Sequence, residues 1–175
     1  MYQAIGIVEL KSIAKGIEAT DAALKSAGVK LVSAHPSCPG KYEIILTGGI
    51  ADVEAAVDHV KGRFDSRLID SCVIGRIDPQ VVTGMFGTQE GAKTGSVGII
   101  ETFSAASLIR AADIAVKTAK VAIYELRLSR GMGGKGLVII TGDVADVTAS
   151  VEAGAAYAKE QGLFCNSAVI PAPHN

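Results

Sequence analysis

Apolar and polar positions recur in the same order in the two halves of the chain. The β-branched runs IGIVEL (5–10) and VGIIET (97–102) predict short strands. Ser12 and Ser104 follow these runs, where a side-chain hydroxyl suits the N-cap of a helix. Apolar residues then recur at four- and three-residue intervals, which predicts a helix with one face turned to a core in each half. These positions are Ile13, Ile17, Thr20, Leu24 and Ala27, matched by Ala105, Ile109, Ala112, Val116 and Ala119.

The remaining apolar runs complete the same pattern twice. VKLVSA and YEIILTG, then VAIYELRL and GLVIITG, predict pairs of strands joined by a turn. A second helix is predicted near ADVEAAV and ADVTASV, and a last strand at SCVIGRI and SAVIPAP. The predicted order is β-α-β-β-α-β in each half, an α+β arrangement of the ferredoxin-like type with helices on one face of an antiparallel sheet. That fold serves many functions, so the order of elements alone does not indicate one.

The two halves are a domain duplication. Residues 5–31 align without gaps to 97–123 with 12 of 27 positions identical, and residues 41–58 align to 135–152 with nine of 18 identical. A repeat of this length is far longer than a solenoid unit. We predict a first domain at residues 1–80, a linker at 81–94 with one helical turn in the join, and a second domain at 95–175.

Composition and charge narrow the possible functions. The chain has 175 residues and a net charge of −1, so no excess of Lys and Arg is available to bind nucleic acid. The start, MYQAIGIVEL, lacks the features of a signal peptide, and no apolar run reaches the roughly 20 residues that cross a bilayer. We therefore expect a cytoplasmic protein without membrane contacts. Aromatic residues make up only 5% of the chain, so two thin cores are expected to gain burial from oligomer contacts.

The candidate chemistry centres on the segment SCPGK, in which Cys38 lies in a turn between two predicted strands. Cys72 and Cys165 fall within the final apolar strands, where small buried side chains are the usual interpretation. His35 stands three residues before Cys38. An H-x-x-C spacing in an extended segment is weak evidence for a metal ligand, and a solvent-facing histidine at a strand end is the commoner case.

The run GMGGKG, residues 131–136, has the spacing of a nucleotide-binding motif in the wrong context. A strand follows it where a dinucleotide fingerprint needs a helix, and Gly136 stands where a P-loop needs Ser or Thr. We interpret it as a flexible glycine-rich turn. The sequence shows no nucleophile paired with a base and no acid–base dyad at matched positions, so we do not expect an enzyme.

The sequence resembles the shell proteins of bacterial microcompartments, whose repeating unit is the BMC domain. GIVELKSIAKGIEATDAALKSAGV and GIIETFSAASLIRAADIAVKTAKV carry the family's G-x-[IV]-E strand start and its D-x-x-x-K-x-A-x-V helix end. The terminal VIPAPH is similar to the family's V-I-P-R-P-H. The resemblance covers nearly the whole chain, twice, in the order of the non-permuted tandem-domain members. It implies a homotrimer, a pseudohexameric tile that imitates the six-domain hexagon of single-domain relatives and assembles with other shell proteins.

The resemblance also implies a pore with a metal site. In the family, the turn between the second and third strands lines a central pore. Within the family, the likeness is greatest to T-type members of propanediol-utilisation compartments, in which a C-P-G-K turn supplies one cysteine per chain to an iron–sulfur cluster at the trimer axis. Three symmetry-related Cys38 thiols could ligate three irons of one [4Fe–4S] cluster per trimer and leave the fourth iron open. The implied pore-lining residues are Ser37, Pro39, Gly40, Gly131, Met132, Gly133 and Gly134.

Two lysines and one arginine correspond to the family's tile-edge residues. Lys25 and Lys117 end equivalent helices and match the lysine that packs against its counterpart in the next tile. Arg76 matches the arginine of the terminal P-R-P-H motif, whereas Ala172 takes its place in the second repeat. The resemblance therefore implies edge contacts that alternate around the trimer.

The leading hypothesis is a trimeric shell tile whose pore holds an iron–sulfur cluster, either for electron transfer across the shell or for cluster delivery to encapsulated redox enzymes. Zinc bound by three thiolates and one water also fits the symmetry. A metal-free pore that conducts small metabolites is the second hypothesis, and a ferredoxin-like small-molecule sensor is the third.

Overall fold

The computed structural model describes residues 3–87 and 95–174, which divide into two compact units, Met1–Ile77 and Asp78–Asn175. Each unit contains the β-α-β-β-α-β order that the sequence pattern predicts. Of the predicted linker, residues 88–94 lie outside the described residues, and a helix at Pro79–Met85 reaches into its start. No helix within the two described ranges is both long and apolar enough to cross a bilayer.

Unit 1 is a four-stranded antiparallel sheet with two helices on one face. Its elements are β1 (Ala4–Leu10), α1 (Ile13–Ser26), β2 (Lys30–Ser37), β3 (Lys41–Gly48), α2 (Ile50–Phe64), a 3₁₀ turn (Asp65–Arg67) and β4 (Leu68–Gly75). The strands lie in the order β2-β3-β1-β4. Gly6 of the central strand faces α2, because a Cβ atom there would lie 2.7 Å from Val53 and 2.8 Å from Val57. The core of unit 1 therefore lies between this sheet face and the helices.

Unit 2 repeats this architecture after an additional short helix. Its elements are α3 (Pro79–Met85), β5 (Ser96–Thr102), α4 (Ala105–Thr118), β6 (Val121–Arg127), β7 (Gly136–Gly142), α5 (Val144–Glu160) and β8 (Phe164–Ile170). The strand order is β6-β7-β5-β8, equivalent to that of unit 1. Both predicted N-caps are confirmed, since Ser12 accepts the Lys15 N–H at 3.3 Å and Ser104 accepts the Ser107 N–H at 3.2 Å.

The outer face of α1 differs from the predicted pattern. The prediction that Ile13, Ile17 and Leu24 turn to the core is wrong, because these residues are 40%, 58% and 38% exposed. The buried face of α1 consists of small residues, namely Gly16, Ala19, Thr20, Ala22 and Ala23. In α4, by contrast, the predicted core positions Ala105, Ile109 and Ala112 are buried. Equivalent helices therefore expose different apolar surfaces.

The close approach of α1 to β3 explains the small residues. A Cβ atom at Gly16 would lie 2.3 Å from the Cβ and ring atoms of Tyr42, which leaves no space for a side chain. In unit 2 the same two positions are occupied by Leu108 and Gly136, and a Cβ atom at Gly136 would lie 2.8 Å from Leu108. The large and small residues have exchanged places, so the same contact is filled from the strand in unit 1 and from the helix in unit 2.

A buried aspartate anchors α3 to the rest of unit 2. Asp113 of α4 is 1% exposed, accepts the backbone N–H of Asp78 at 2.9 Å, and pairs with Lys117 at 2.7 Å. Two residues after Asp78, the Gln80 side chain accepts the backbone N–H of Ile123 on the edge strand β6 at 3.0 Å. The start of α3 therefore supplies hydrogen-bond partners to both α4 and the edge strand of the sheet.

We predict that Asp113→Ala lowers the free energy of unfolding of unit 2 by about 2–3 kcal/mol, because it leaves a backbone donor and an ammonium without their charged partner. Chemical denaturation measures the change. Asp21→Ala at the equivalent position of α1 is the matched control. Asp21 is 63% exposed in its ion pair with Lys25, so its loss should be below about 1 kcal/mol. Equal losses for the two variants would contradict an anchoring role for Asp113.

Candidate functional site

Cys38 lies at the tip of the turn that joins β2 to β3. The last paired residues of the two strands are Ser37 and Lys41, and the turn is closed by a hydrogen bond from the Gly40 N–H to the Ser37 carbonyl at 3.0 Å. The Cys38–Pro39 peptide is cis, and Gly40 has a φ of +84°, a conformation that favours glycine. Cys38 is half-buried, whereas Pro39 and Gly40 are exposed. The turn thus presents one thiol beyond the end of the sheet.

Ionisable side chains cross the sheet directly below this turn. His35 pairs with Glu43, Glu43 pairs with Glu9, and Glu9 pairs with Asp70, so one row spans all four strands on a single face. We call these four residues the acidic row. Glu9 and Glu43 are fully buried. Lys41 Nζ lies 3.2 Å from Glu9 Oε1, and His35 Nε2 lies 3.3 Å from Glu43 Oε1.

These contacts correct the interpretation of His35 as a solvent-facing histidine. The side chain is not fully solvent-facing. Its ring lies against Glu43 and is 23% exposed. Among the described residues of one protomer, no three His, Cys, Asp or Glu side chains are grouped as a metal site.

The turn between β6 and β7 of unit 2 contains the other four predicted pore residues. Gly131 and Gly133 are exposed with φ values of +72° and +61°, Gly134 is buried with a φ of +86°, and Met132 is half-buried. A Cβ atom at Gly131 or Gly133 would have no neighbour within 4 Å. β7 follows this turn directly, which confirms that the glycine run precedes a strand. The second turn is therefore open, and its predicted residues include no thiol.

The two other cysteines are less buried than predicted. Cys72 on β4 and Cys165 on β8 are both half-buried, because each lies on the outermost strand of its sheet. Cys165 Sγ lies 3.7 Å from Glu101 Oε2. No disulfide joins any of the three cysteines.

The predicted edge residues have different environments in the two units. Lys25 is exposed and pairs with exposed Asp21 at 2.7 Å, whereas Lys117 pairs with buried Asp113. Arg76 follows β4 with a φ of +50°, and its N–H donates to the Gln3 carbonyl at 2.9 Å.

The α1–α2 surface near Lys25 carries a further ionic group. The hydrogen bond from Lys15 lowers the pKa of the Glu18 carboxyl, and Arg63 at 3.0 Å adds to this effect. The charged surface near Lys25 is therefore internally paired.

The acidic row is the feature that the sequence interpretation missed. Glu9 and Glu43 interrupt the apolar runs IGIVEL and YEIILTG, and period-2 alternation places Glu9 on the same face as Ile5 and Ile7. That pattern could have indicated a buried carboxylate. The register that sets Glu9 beside Glu43 is a property of strand pairing and is not visible in either segment alone.

Comparison with known proteins defines the class. Residues 4–77 and 96–173 match the family model of the BMC domain. The chain belongs to the BMC-domain shell proteins and carries two BMC domains in tandem. It is a structural component of a bacterial microcompartment shell and not an enzyme.

Individual relatives support the tandem organisation. The chain is 42% identical to the bacterial microcompartment shell protein PduT of Citrobacter freundii over 174 residues, which cover 99% of this chain and 95% of PduT. A crystal structure of a microcompartment protein from Desulfitobacterium hafniense superposes with a TM-score of 0.83 at 45% identity, covering 99% and 97% of the two chains. The shell protein EutM of Escherichia coli is 38% identical over 79 residues, 45% of this chain and 79% of EutM.

Proposed function

We propose that three copies of this chain form a closed tile of the shell, and that the three Cys38 thiols meet on its axis to hold one [4Fe–4S] cluster. The observation that carries the proposal is the position of Cys38, half-buried at the tip of a turn that extends beyond the sheet. The similarity to the shell protein PduT over both domains supports a place in the shell.

Differences in burial between equivalent positions support association between copies. Ile17 of α1 is 58% exposed, while Ile109 at the matching position of α4 is fully buried. On the sheet face away from the helices, unit 1 is the more buried of the two units. Ile7 of unit 1 is fully buried, whereas Ile99 at the matching position in unit 2 is only half-buried. One protomer thus leaves an apolar helix face in unit 1 and a partly open sheet face in unit 2.

We infer that these two different surfaces pair between neighbouring copies. A contact between unlike surfaces is heterologous, and it forms a closed ring when the rotation between copies closes. Three copies close the ring that the family resemblance implies. The apolar residues of the helix face would then lose the exposure that they have in a single protomer.

The residues of the Cys38 turn are suited to a cluster on such an axis. A single thiol per chain becomes three thiols under threefold symmetry, which matches three irons of a cubane. Pro39 has no N–H, so it cannot donate a hydrogen bond to a cluster. A bound cluster would supply one-electron transfer between the two sides of the shell, or an exchangeable iron for delivery to encapsulated enzymes. Shell proteins and redox enzymes inside the compartment are the partners that this function requires.

Sedimentation and metal analysis of anaerobically purified protein test the proposal together. We expect the mass of three chains, a broad absorbance near about 400 nm and about four irons and four sulfides per three chains. Zinc in place of iron would show a tetrahedral thiolate site and contradict the cluster. A colourless trimer that takes up no metal on reconstitution would favour a metal-free pore. A monomer would contradict the axis itself.

A further inference from the structure

The acidic row contains one buried carboxylate, that of Glu43, without a hydrogen-bond partner among the described residues. It contains three carboxylates, those of Glu9, Glu43 and Asp70, and one histidine. Lys41 compensates Glu9 at 3.2 Å, and the Asp70 carboxylate accepts the Ser71 N–H at 2.8 Å. Both carboxylate oxygens of Glu43 are buried and accept no hydrogen bond from the described residues. Its nearest partner is His35, which compensates a charge only when protonated.

The equivalent row of unit 2 has no carboxylate at the position of Glu43. The same pairing register brings together Arg127, Leu137, Glu101 and Asn166. The guanidinium of Arg127 pairs with Glu125, and the position of Glu43 is taken by Leu137. At this position of the row, the described residues therefore include a buried carboxylate in the unit whose turn carries the cysteine and a leucine in the other unit.

The position of Glu43 relates it to the thiol. His35 and Glu43 are paired two residues below Ser37 and Lys41, the last pair before the turn. At about 3.4 Å per residue this separation is about 7 Å along the strands. A buried charge this close to the end of the strands acts on the turn more strongly than an exposed one would, because the protein interior screens it less than water does.

We infer that Glu43 lowers the reduction potential of the cluster bound at Cys38. This inference rests on the proposed function. One-electron reduction adds one negative charge to the cluster, with the electron coming from an external reductant. The buried carboxylate of Glu43 opposes that added charge, and the threefold axis places three such carboxylates around the cluster. Net charge around a cluster is one of the factors that set its potential. Glu43 thus acts on the cluster through its charge and does not ligate iron.

The test is a redox titration of the anaerobic holo-trimer of wild type and Glu43→Gln, followed by optical and electron paramagnetic resonance spectra. We expect the midpoint potential of Glu43→Gln to shift to a more positive value with unchanged iron content. The thermal stability of the apo-protein should stay the same or rise, because the variant removes a buried charge that has no hydrogen bond. Glu54→Gln is the matched control. It removes the same charge from an exposed position on α2, and its potential should equal that of wild type.

A second variant keeps the test valid if Glu43→Gln does not fold. Glu43→Leu introduces the side chain found at the equivalent position in unit 2, Leu137, and should shift the potential in the same direction. Equal midpoint potentials for wild type and both Glu43 variants, at equal iron content, would overturn the inference and leave the proposed function standing. A wild-type trimer that binds no iron would overturn the proposed function, and this inference with it.

Discussion

Cys38→Ser is expected to reduce the iron content of the purified protein to background while the trimer stays intact. The substitution removes all three proposed ligands at once, because one thiol per chain supplies the whole protein ligation of the cluster. A serine hydroxyl is not the thiolate ligand that iron–sulfur clusters use. The fold should tolerate the change, since Cys38 lies in a turn between exposed Pro39 and the end of β2. Iron and sulfide analysis with visible spectroscopy measures the loss, and sedimentation reports the trimer.

The other two cysteines provide matched controls for this experiment. Cys72→Ser and Cys165→Ser replace half-buried thiols on edge strands and should leave the iron content at the wild-type level. If Cys38→Ser retains iron, or if either control loses it in an intact trimer, the assignment of the ligand is wrong. Loss of the trimer in Cys38→Ser alone would instead show that the Cys38 thiols or the metal they bind hold the copies together, and would contradict the expected intact trimer.

Gly16→Ala is expected to destabilise unit 1 by about 3 kcal/mol or more, the upper end of the cost of overpacking a core. The added Cβ atom would lie 2.3 Å from atoms of Tyr42 that include its Cβ, so rotation of the ring cannot relieve the overlap. Denaturant unfolding measures the change. Gly62→Ala is the control, because a Cβ atom there has no neighbour within 4 Å and alanine favours a helix.

A double substitution tests the physical reason for this sensitivity. Gly16→Leu with Tyr42→Gly copies the pair Leu108 and Gly136 that fills the equivalent contact in unit 2. Gly16→Leu alone overpacks the contact, and Tyr42→Gly alone leaves a cavity that costs about 3–5 kcal/mol. The double variant should be more stable than either single variant, which is a favourable coupling between contacting sites. If the stability losses of the two single variants simply add in the double variant, the Leu–Gly pair of unit 2 does not fill the equivalent contact in unit 1.

The order of elements could be predicted because each depends on a local pattern. Strand alternation, the N-cap serines Ser12 and Ser104, and the duplication all appear in short windows of sequence, and the structure contains them. The orientation of α1 could not be predicted in this way. Ile13 and Ile17 have the spacing of a core face, but the core side of the helix is set by how closely Tyr42 approaches it, which is a tertiary property.

The residues of the candidate site also divide into those that the sequence indicates and those that depend on tertiary structure. Cys38 is conspicuous in the sequence because it stands in a turn next to Pro39 and Gly40, and a family resemblance assigns it a role. The carboxylate of Glu43 acquires significance only when strand register sets it beside Glu9 and below the turn. The difference between Lys25 and Lys117 likewise depends on the burial of their aspartate partners, which are identical in sequence.

Because the glycine-rich run 131–136 contains no cysteine, each chain of the proposed trimer supplies one thiol ligand from its two turns. A ring of six identical domains would carry six thiols around its centre if each turn held one. A cubane with one open iron needs only three. Gene duplication followed by divergence lets alternate turns differ while the ring keeps six domains. In the proposed tile, the fusion of two unlike domains into one chain therefore fixes the number of cysteine ligands at three among six turns. Separate domains would not be held to this ratio.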